Sequence, residues 1–253
     1  MEKPLILVCN DDGITAPGIR ALISVAKEFG DVLVVAPDKP QSAMGHAITI
    51  NSTLRVHPMN TDGQIEYACT GTPVDCVKLA VNKILKRKPD LLVSGINHGS
   101  NASINVIYSG TMSAALEGAI ENIPSIGFSL LDHSIEADFT ASKVIARKVI
   151  EKALNDKMPD YTCLNVNIPN LDIDLIKGMK VCRQAQANWE EEFDERKDPS
   201  GRVYYWMTGE FKNYDPGQDT DIYALENGFV SIVPVQFDIT AHKTIPFFKK
   251  WED

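Results

Sequence analysis

Four short runs, "PLILVC" (residues 4–9), "DVLVVAP" (31–37), "DLLVSG" (90–95) and "SIGFSL" (125–130), are apolar over consecutive positions instead of alternating. A strand that is apolar on both faces is covered on both faces, as in a parallel sheet flanked by helices. Between the first two runs, Ile19, Leu22, Ile23, Ala26 and Phe29 recur at helical spacing, and Gly30 follows as a stop signal. Strand, helix and strand in this order form the unit of a parallel sheet with right-handed crossovers, so the chain is assigned to the α/β class.

The rest of the sequence extends this reading. "ITINSTLRVH" and "QIEYACT" alternate and predict strands around an Asp62-Gly63 turn. Thr72 is read as the N-cap of a helix with Pro73 in its first turn, and "KILKRK" (83–88) as its cationic end. Further helices are expected after "YSGT" and over Ala137–Leu154, and a further strand at "TCLNVNIP". From about Ala187 the chain becomes charged and then aromatic around Asp198-Pro199-Ser200-Gly201, which predicts a projecting hairpin. Its Tyr204, Tyr205 and Trp206 suit an oligomer interface or a pocket wall. "TDIYALENG" is read as a short capped helix, with Asp219 and Asp221 as capping residues, and "FVSIVPVQFD" as a returning strand. Residues 1–186 are accordingly taken as a core, and 187–253 as a hairpin extension with a C-terminal strand and tail that is not an independent domain.

Composition narrows the function classes. With 253 residues, 44% of them hydrophobic, the chain can bury one large core. A formal net charge of −9 and the lack of a long Lys/Arg stripe argue against a nucleic-acid polymer as partner. No apolar run approaches the roughly 20 residues that span a bilayer, and no signal peptide is indicated. Five widely spaced cysteines without a CxxC pair are expected to be reduced, buried thiols in a cytoplasmic protein. Cys69 is read as a core residue with nothing nearby to depress its pKa.

Chemistry gathers where the strands end. In an open parallel sheet, ligands bind outside the carboxyl ends of the strands. After the first strand come Asn10, Asp11, Asp12 and Gly13; after the second, a loop with Ser42, Gly45 and His46; after the third, Asn97, His98, Ser100 and Asn101. Ser109-Gly110-Thr111 then opens a helix. Two adjacent carboxylates repel, and a hard cation such as Mg²⁺ or Mn²⁺ resolves that repulsion with oxygen donors: Asp11, Asp12, Ser42 and Asn97. The Ser109-Gly110-Thr111 helix start offers an anion site. A cation beside an anion cradle implies phosphoryl chemistry. His46 and His98 are alternatives for a general acid or a phosphate donor, or are satisfied by backbone. The Asp238–His242 pair is a weaker carboxylate–imidazole candidate. Aspartates of a covalent aspartyl phosphatase stand one residue apart in D-x-D, unlike this adjacent pair, and the first turn lacks the G-x-G-x-x-G of dinucleotide binders.

"VCNDDGITAPGI", "QSAMGHAIT", "TGTPVDCV", "PDLLVSGINHGSN", "YSGTMSAALEGA" and "TDIYALENGFVSIVPV" resemble, in order and spacing, the SurE family of stationary-phase 5′-nucleotidases, nearly end to end. The resemblance implies a three-layer Rossmann-like core with a mostly parallel sheet and a C-terminal hairpin used in homodimer or homotetramer assembly. It also implies a metal-dependent phosphomonoesterase acting on nucleoside 5′-monophosphates, often 3′-monophosphates, and in some members polyphosphate. The family's metal pattern falls on Asp11, Asp12, Ser42 and Asn97, its phosphate-side helix start on Ser109, Gly110 and Thr111, with Asn101 close by. One departure is visible: the residue after the loop serine, often glycine in the family, is Ala43.

Overall fold

The computed structural model describes residues 3–252. Eleven strands are defined among them: β1 (Leu5–Cys9), β2 (Asp31–Pro37), β3 (Val56–Thr61), β4 (Gln64–Cys69), β5 (Leu91–His98), β6 (Ser125–Leu130), β7 (Thr162–Ile168), β8 (Met179–Val181), β9 (Ala187–Lys197), β10 (Val203–Asn213) and β11 (Val230–Gln236). The α-helices are α1 (Pro17–Ala26), α2 (Pro73–Leu79), α3 (Asn105–Tyr108), α4 (Gly110–Ile120), α5 (Thr140–Asn155), α6 (Asp221–Glu226) and α7 (Ile245–Phe248).

Nine strands form one sheet in the order β3-β4-β2-β1-β5-β6-β7-β11-β8. Strands β4, β2, β1, β5, β6 and β7 run parallel, while β3 and β11 pair antiparallel with β4 and β7. Helices α1 and α5 cover one face and α2 and α4 the other, which gives three layers. The consecutive apolar residues of β1 explain the arrangement. Ile6 and Val8 enter the core beneath α1 with Ile19 and Leu22, while Leu7 and Cys9 face the opposite core with Val77 and Ala80 of the α2 side. After β1 the chain turns to β2 on one side, and β5 lies on the other. The reversal opens a crevice at the carboxyl ends of β1 and β5.

Local differences from the sequence reading have physical causes. Helix α1 ends at Ala26, before Gly30; Gly30 instead lies where a Cβ would stand 2.1 Å from the Pro4 carbonyl oxygen. The segment 48–55 is not part of a strand and bends at Asn51 and Ser52, and β3 begins at Val56. Helix α2 has the expected Thr72 cap, doubled into a capping box by Asp75, but it loosens into a π-turn over Ala80–Ile84 and stops there. Most of "KILKRK" therefore lies outside it, and Arg87 instead reaches Asp90 at 2.8 Å. Strand β5 does not end at "DLLV": it continues through Asn97 and His98 after a register shift between Ser94 and Asn97 that includes a cis Gly95–Ile96 peptide. Helix α5 starts at Thr140, later than Ala137.

β9 and β10 form the expected hairpin, a separate two-stranded sheet paired from Ala187–Asn213 to Lys197–Val203. Asp198 closes its turn by accepting from the backbone N–H groups of Ser200 and Arg202. Between residues 187 and 253, β11 belongs to the main sheet, packed between β7 and β8. Among the described residues no helix is long and apolar enough to cross a membrane.

Helix α1 meets β5 at Gly18, where an added Cβ would fall 1.9 Å from the Ile96 carbonyl oxygen. In a free helix, Ala is better than Gly by about 1 kcal/mol. Here Gly18→Ala is expected to reverse that sign and lower unfolding free energy by about 1–3 kcal/mol in urea titration, because backbone must move.

Candidate active site

Asp11 leaves the end of β1 buried, at 4% exposure. Its Oδ1 accepts a 2.5 Å hydrogen bond from the Thr111 hydroxyl, and the Thr111 backbone N–H adds a second. The first turn of α4 is thus directed at this carboxylate, with the positive end of the helix dipole behind it. Close approach needs Gly110, since a Cβ there would lie 2.6 Å from Asp11 Cβ and 2.8 Å from its Oδ2. Burial, and then the neighbouring Asp12 charge, outweigh these bonds and push the Asp11 carboxyl up to about 6. Asp12 faces His98. Its Oδ2 sits 3.2 Å from His98 Nδ1 and accepts from the His98 backbone N–H at 3.4 Å. The His98 ring packs edge-on against Phe139, and its Nε2 is buried without a partner among the described residues.

Asn97, on the shifted end of β5, donates its Nδ2 to the Gly99 carbonyl at 2.9 Å, leaving its amide oxygen free. Ser42 comes from the loop after β2, where Gln41 N–H is tied to the Asp11 carbonyl at 2.8 Å. Ala43, next in the loop, holds φ +58°, the left-handed region. Asp11, Asp12, Ser42, Asn97, His98, Asn101 and Ser109 line one cavity of about 710 Å³. The oxygen-only donor set and the uncompensated Asp11–Asp12 charge fit a hard divalent cation. No cluster of three His, Cys, Asp or Glu exists among the described residues, so any such cation would rely on neutral oxygens from Ser42 and Asn97.

Other expected residues have different surroundings. Asn10 is buried and donates to the Gly13 carbonyl at 2.9 Å; its Oδ1 has no partner. His46 does not line the cavity. Its Nε2 sits 3.0 Å from Glu117 Oε2, and Lys78 Nζ reaches the other oxygen of this buried carboxylate at 2.5 Å. Gly45 N–H donates to the Tyr108 carbonyl, so Gly45 and His46 pin the Ser42 loop onto α3 and α4. Burial raises the Glu117 carboxyl, but the bonds from His46 and Lys78 prevail and hold it below the usual range. Thr111 is turned to Asp11, whereas Ser109 caps α4 by accepting from Met112 N–H, which leaves its own proton free to donate.

Asn101 caps a buried amide network. Its N–H donates to Asn167 Oδ1, its Nδ2 to Ser129 Oγ, and its carbonyl accepts from Asn165 Nδ2, all within 2.7–2.8 Å. Asn165 and Asn167 escaped sequence reasoning, although two amides at i and i+2 inside the buried strand "CLNVNI" were a visible signal. Also unforeseen was the far wall: Asn105, Tyr108, His133, Trp189, Phe211, Ile222, Leu225 and Glu226. Trp189 and Phe211 face each other across the base of the hairpin, rings 5.6 Å apart, and Trp189 Nε1 donates to Asn105 Oδ1 at 2.9 Å. Tyr204, Tyr205 and Trp206, the expected wall or interface residues, are exposed nearer the hairpin tip and do not line the cavity. The five cysteines are buried and free. Contrary to expectation, Cys69 is drawn below the ordinary thiol range, first by the Cys76 thiol, with Gly71 N–H also donating to its sulfur. Asp238 and His242 do pair, at 2.7 Å, on an exposed segment that does not line the cavity.

A three-layer fold on a mostly parallel sheet, with a cavity at its topological switch point lined by acidic, amide, hydroxyl and aromatic side chains, defines an α/β protein with a ligand-sized site at the carboxyl ends of its strands. The family model described as Survival protein SurE matches residues 6–191, and the chain belongs to the SurE family. It is 62% identical to the protein named 5′-nucleotidase SurE of Flavobacterium psychrophilum over 254 residues, covering 100% of this chain and 99% of that one. It is 63% identical to the protein of the same name from Flavobacterium johnsoniae over 253 residues, covering 99% and 98%. The crystal structure of the Sure protein from Aquifex aeolicus superposes with a TM-score of 0.86 at 40% identity, covering 99% of this chain and 100% of that one.

Two outcomes are expected. Gly110→Ala should leave the helix intact yet displace Asp11, and weaken Mn²⁺ binding by at least about 10-fold in calorimetric titration. The lowered Glu117 pKa contributes stability that is complete above its ordinary value of 4.5 and is lost as pH falls through the lower folded value. Thermal unfolding followed from about pH 5 to pH 3 should therefore fall less steeply in Glu117→Gln than in the parent protein.

Proposed function

We propose that this protein is a divalent-metal-dependent phosphomonoesterase that hydrolyses nucleoside 5′-monophosphates to nucleoside and phosphate, with 3′-monophosphates and short polyphosphate as further substrates. The observation that carries this reading is a single cavity lined both by the oxygen-bearing side chains of Asp11, Asp12, Asn97 and Ser42 and by the aromatic rings of Trp189, Phe211 and Tyr108. The relatives' name, 5′-nucleotidase, supports it. Asp11, Asp12, Ser42 and Asn97 would hold one Mg²⁺ or Mn²⁺, which supplies charge neutralisation at a phosphoryl oxygen when bound.

The chain's own residues do the rest. The Ser109 hydroxyl proton donates to a phosphate oxygen, and Asn101, fixed by Asn165, Asn167 and Ser129, borders the same floor. The aromatic rings take the base by stacking. Asp12, oriented by His98, and Asp11, backed by Thr111, flank the phosphorus. A water beside Asp11 attacks: its oxygen forms the new P–O bond, the carboxylate takes up one of its protons, and the bond from phosphorus to the nucleoside oxygen breaks, that oxygen taking a proton from solvent to leave as the alcohol. Gly45 and His46 hold the Ser42 loop against the site. The protein is taken to work in the cytoplasm as a homodimer or homotetramer, with the hairpin and the C-terminal segment as the assembly surface, supported by exposed Phe193, Tyr205, Trp206, Phe247 and Trp251.

Phosphate release from AMP should require Mn²⁺ or Mg²⁺, disappear with a chelator and return on adding metal. Asp11→Asn should lower it by at least about 100-fold without loss of fold by circular dichroism. Undiminished turnover after chelation or in Asp11→Asn would overturn this reading.

A further inference from the structure

Asp221 is fully buried, at 0% exposure, and no Lys, Arg or His side chain pairs with it among the described residues. Its carboxylate is satisfied by backbone. Oδ2 accepts from Ser103 N–H at 2.7 Å, and Oδ1 from Ala185 N–H and from Ile222 N–H, both at 2.9 Å. A carboxylate accepting several N–H bonds is a strong, geometrically fixed acceptor. The donors belong to three separate segments: the loop before α3, the lead-in to β9, and α6. Ser103, itself buried and at φ +55°, ties two of them again, its hydroxyl lying 2.9 Å from the Ala185 carbonyl and 3.1 Å from that of Ala187.

Each segment carries part of the aromatic end of the cavity. Two residues after Ser103 is Asn105; two after Ala187 is Trp189; beside Asp221 are Ile222, Leu225 and Glu226. Trp189 and Asn105 are bonded to each other. We propose that the buried Ser103–Asp221 pair is the positioning device of the nucleoside wall, so that selectivity for nucleoside over other phosphate monoesters is set at a point no substrate touches. This rests on the proposed nucleotidase reading. Removing the pair leaves the floor of Asp11, Asp12, Ser42 and Asn97 in place, since among the described residues no hydrogen bond joins any of these four to Ser103, Ala185 or Asp221.

The test compares Asp221→Asn and the milder Ser103→Ala with the parent protein in two measurements. The first is kcat and KM for AMP and for glycerol phosphate, which has no base, in Mn²⁺. The second is calorimetric titration with adenosine, which needs neither metal nor turnover. In both variants, KM for AMP and Kd for adenosine should rise about 10-fold or more, while kcat for AMP and kcat/KM for glycerol phosphate stay within about 2-fold. Asp221→Glu should recover less than the parent, being one methylene too long for three fixed donors. If both substrates decline in step, or if folded variants keep the parent's adenosine Kd, the positioning role is overturned. It is equally overturned if the parent does not bind adenosine. If the parent binds adenosine and the variants lose it, yet AMP is never hydrolysed, the positioning role stands and the nucleotidase reading fails.

Discussion

The carboxylate of Asp11 pressed against the first turn of α4 is the contact on which the site depends. It joins residues 100 positions apart and fixes the end of β1 relative to the helix packed over β5 and β6. A buried carboxylate in apolar surroundings costs several kcal/mol unless donors meet it. Here they come from Thr111, and Gly110 clears the space. With Asp11 drawn inward, Asp12 must turn outward to His98. Two adjacent like charges are thereby split between two environments, each with its own donors.

Much of this was legible in the chain. Runs such as "PLILVC" can only be covered on both faces, and the parallel order follows from that requirement. Thr72 and Pro73 marked a helix start because capping is local chemistry, decided within four residues. Asp11, Asp12, Ser42 and Asn97 could be grouped because strand ends in such a sheet share one edge. Where the reading failed, the cause lay outside the local window. Asn97 and His98 were placed beyond the strand, yet pairing with β6 on one side and a shift in register keep them in the sheet. His46 seemed available for catalysis until α4 brought Glu117 to it from 71 residues away.

The aromatic wall was the least legible part. The tyrosines and tryptophan near the hairpin tip are as aromatic as Trp189 and Phe211, and composition cannot tell which end of a hairpin meets the core. That choice is made by tertiary bonds at its base: Arg183 to Asp215 and Asp219, Gln186 N–H to Asp215, and Trp189 to Asn105. Asp221 was read as a cap because it stands beside one. The neighbouring Thr220 does the capping, accepting from Tyr223 N–H, and so frees Asp221 for longer-range contacts.

The spacing of these contacts bears on how the molecule is made. Asp11 meets Thr111 early in the chain, but Ser103 meets Asp221 across 118 residues, and β11 must slide in antiparallel beside β7 before β8 gains its place at the edge. Pairings this distant in sequence close slowly, because a long loop must be ordered before any contact rewards it. A chain emerging from the ribosome would thus carry Asp11, Asp12, Ser42 and Asn97 well before the rest of the cavity lining exists. The residues from Trp189 to Glu226 complete that cavity last during synthesis.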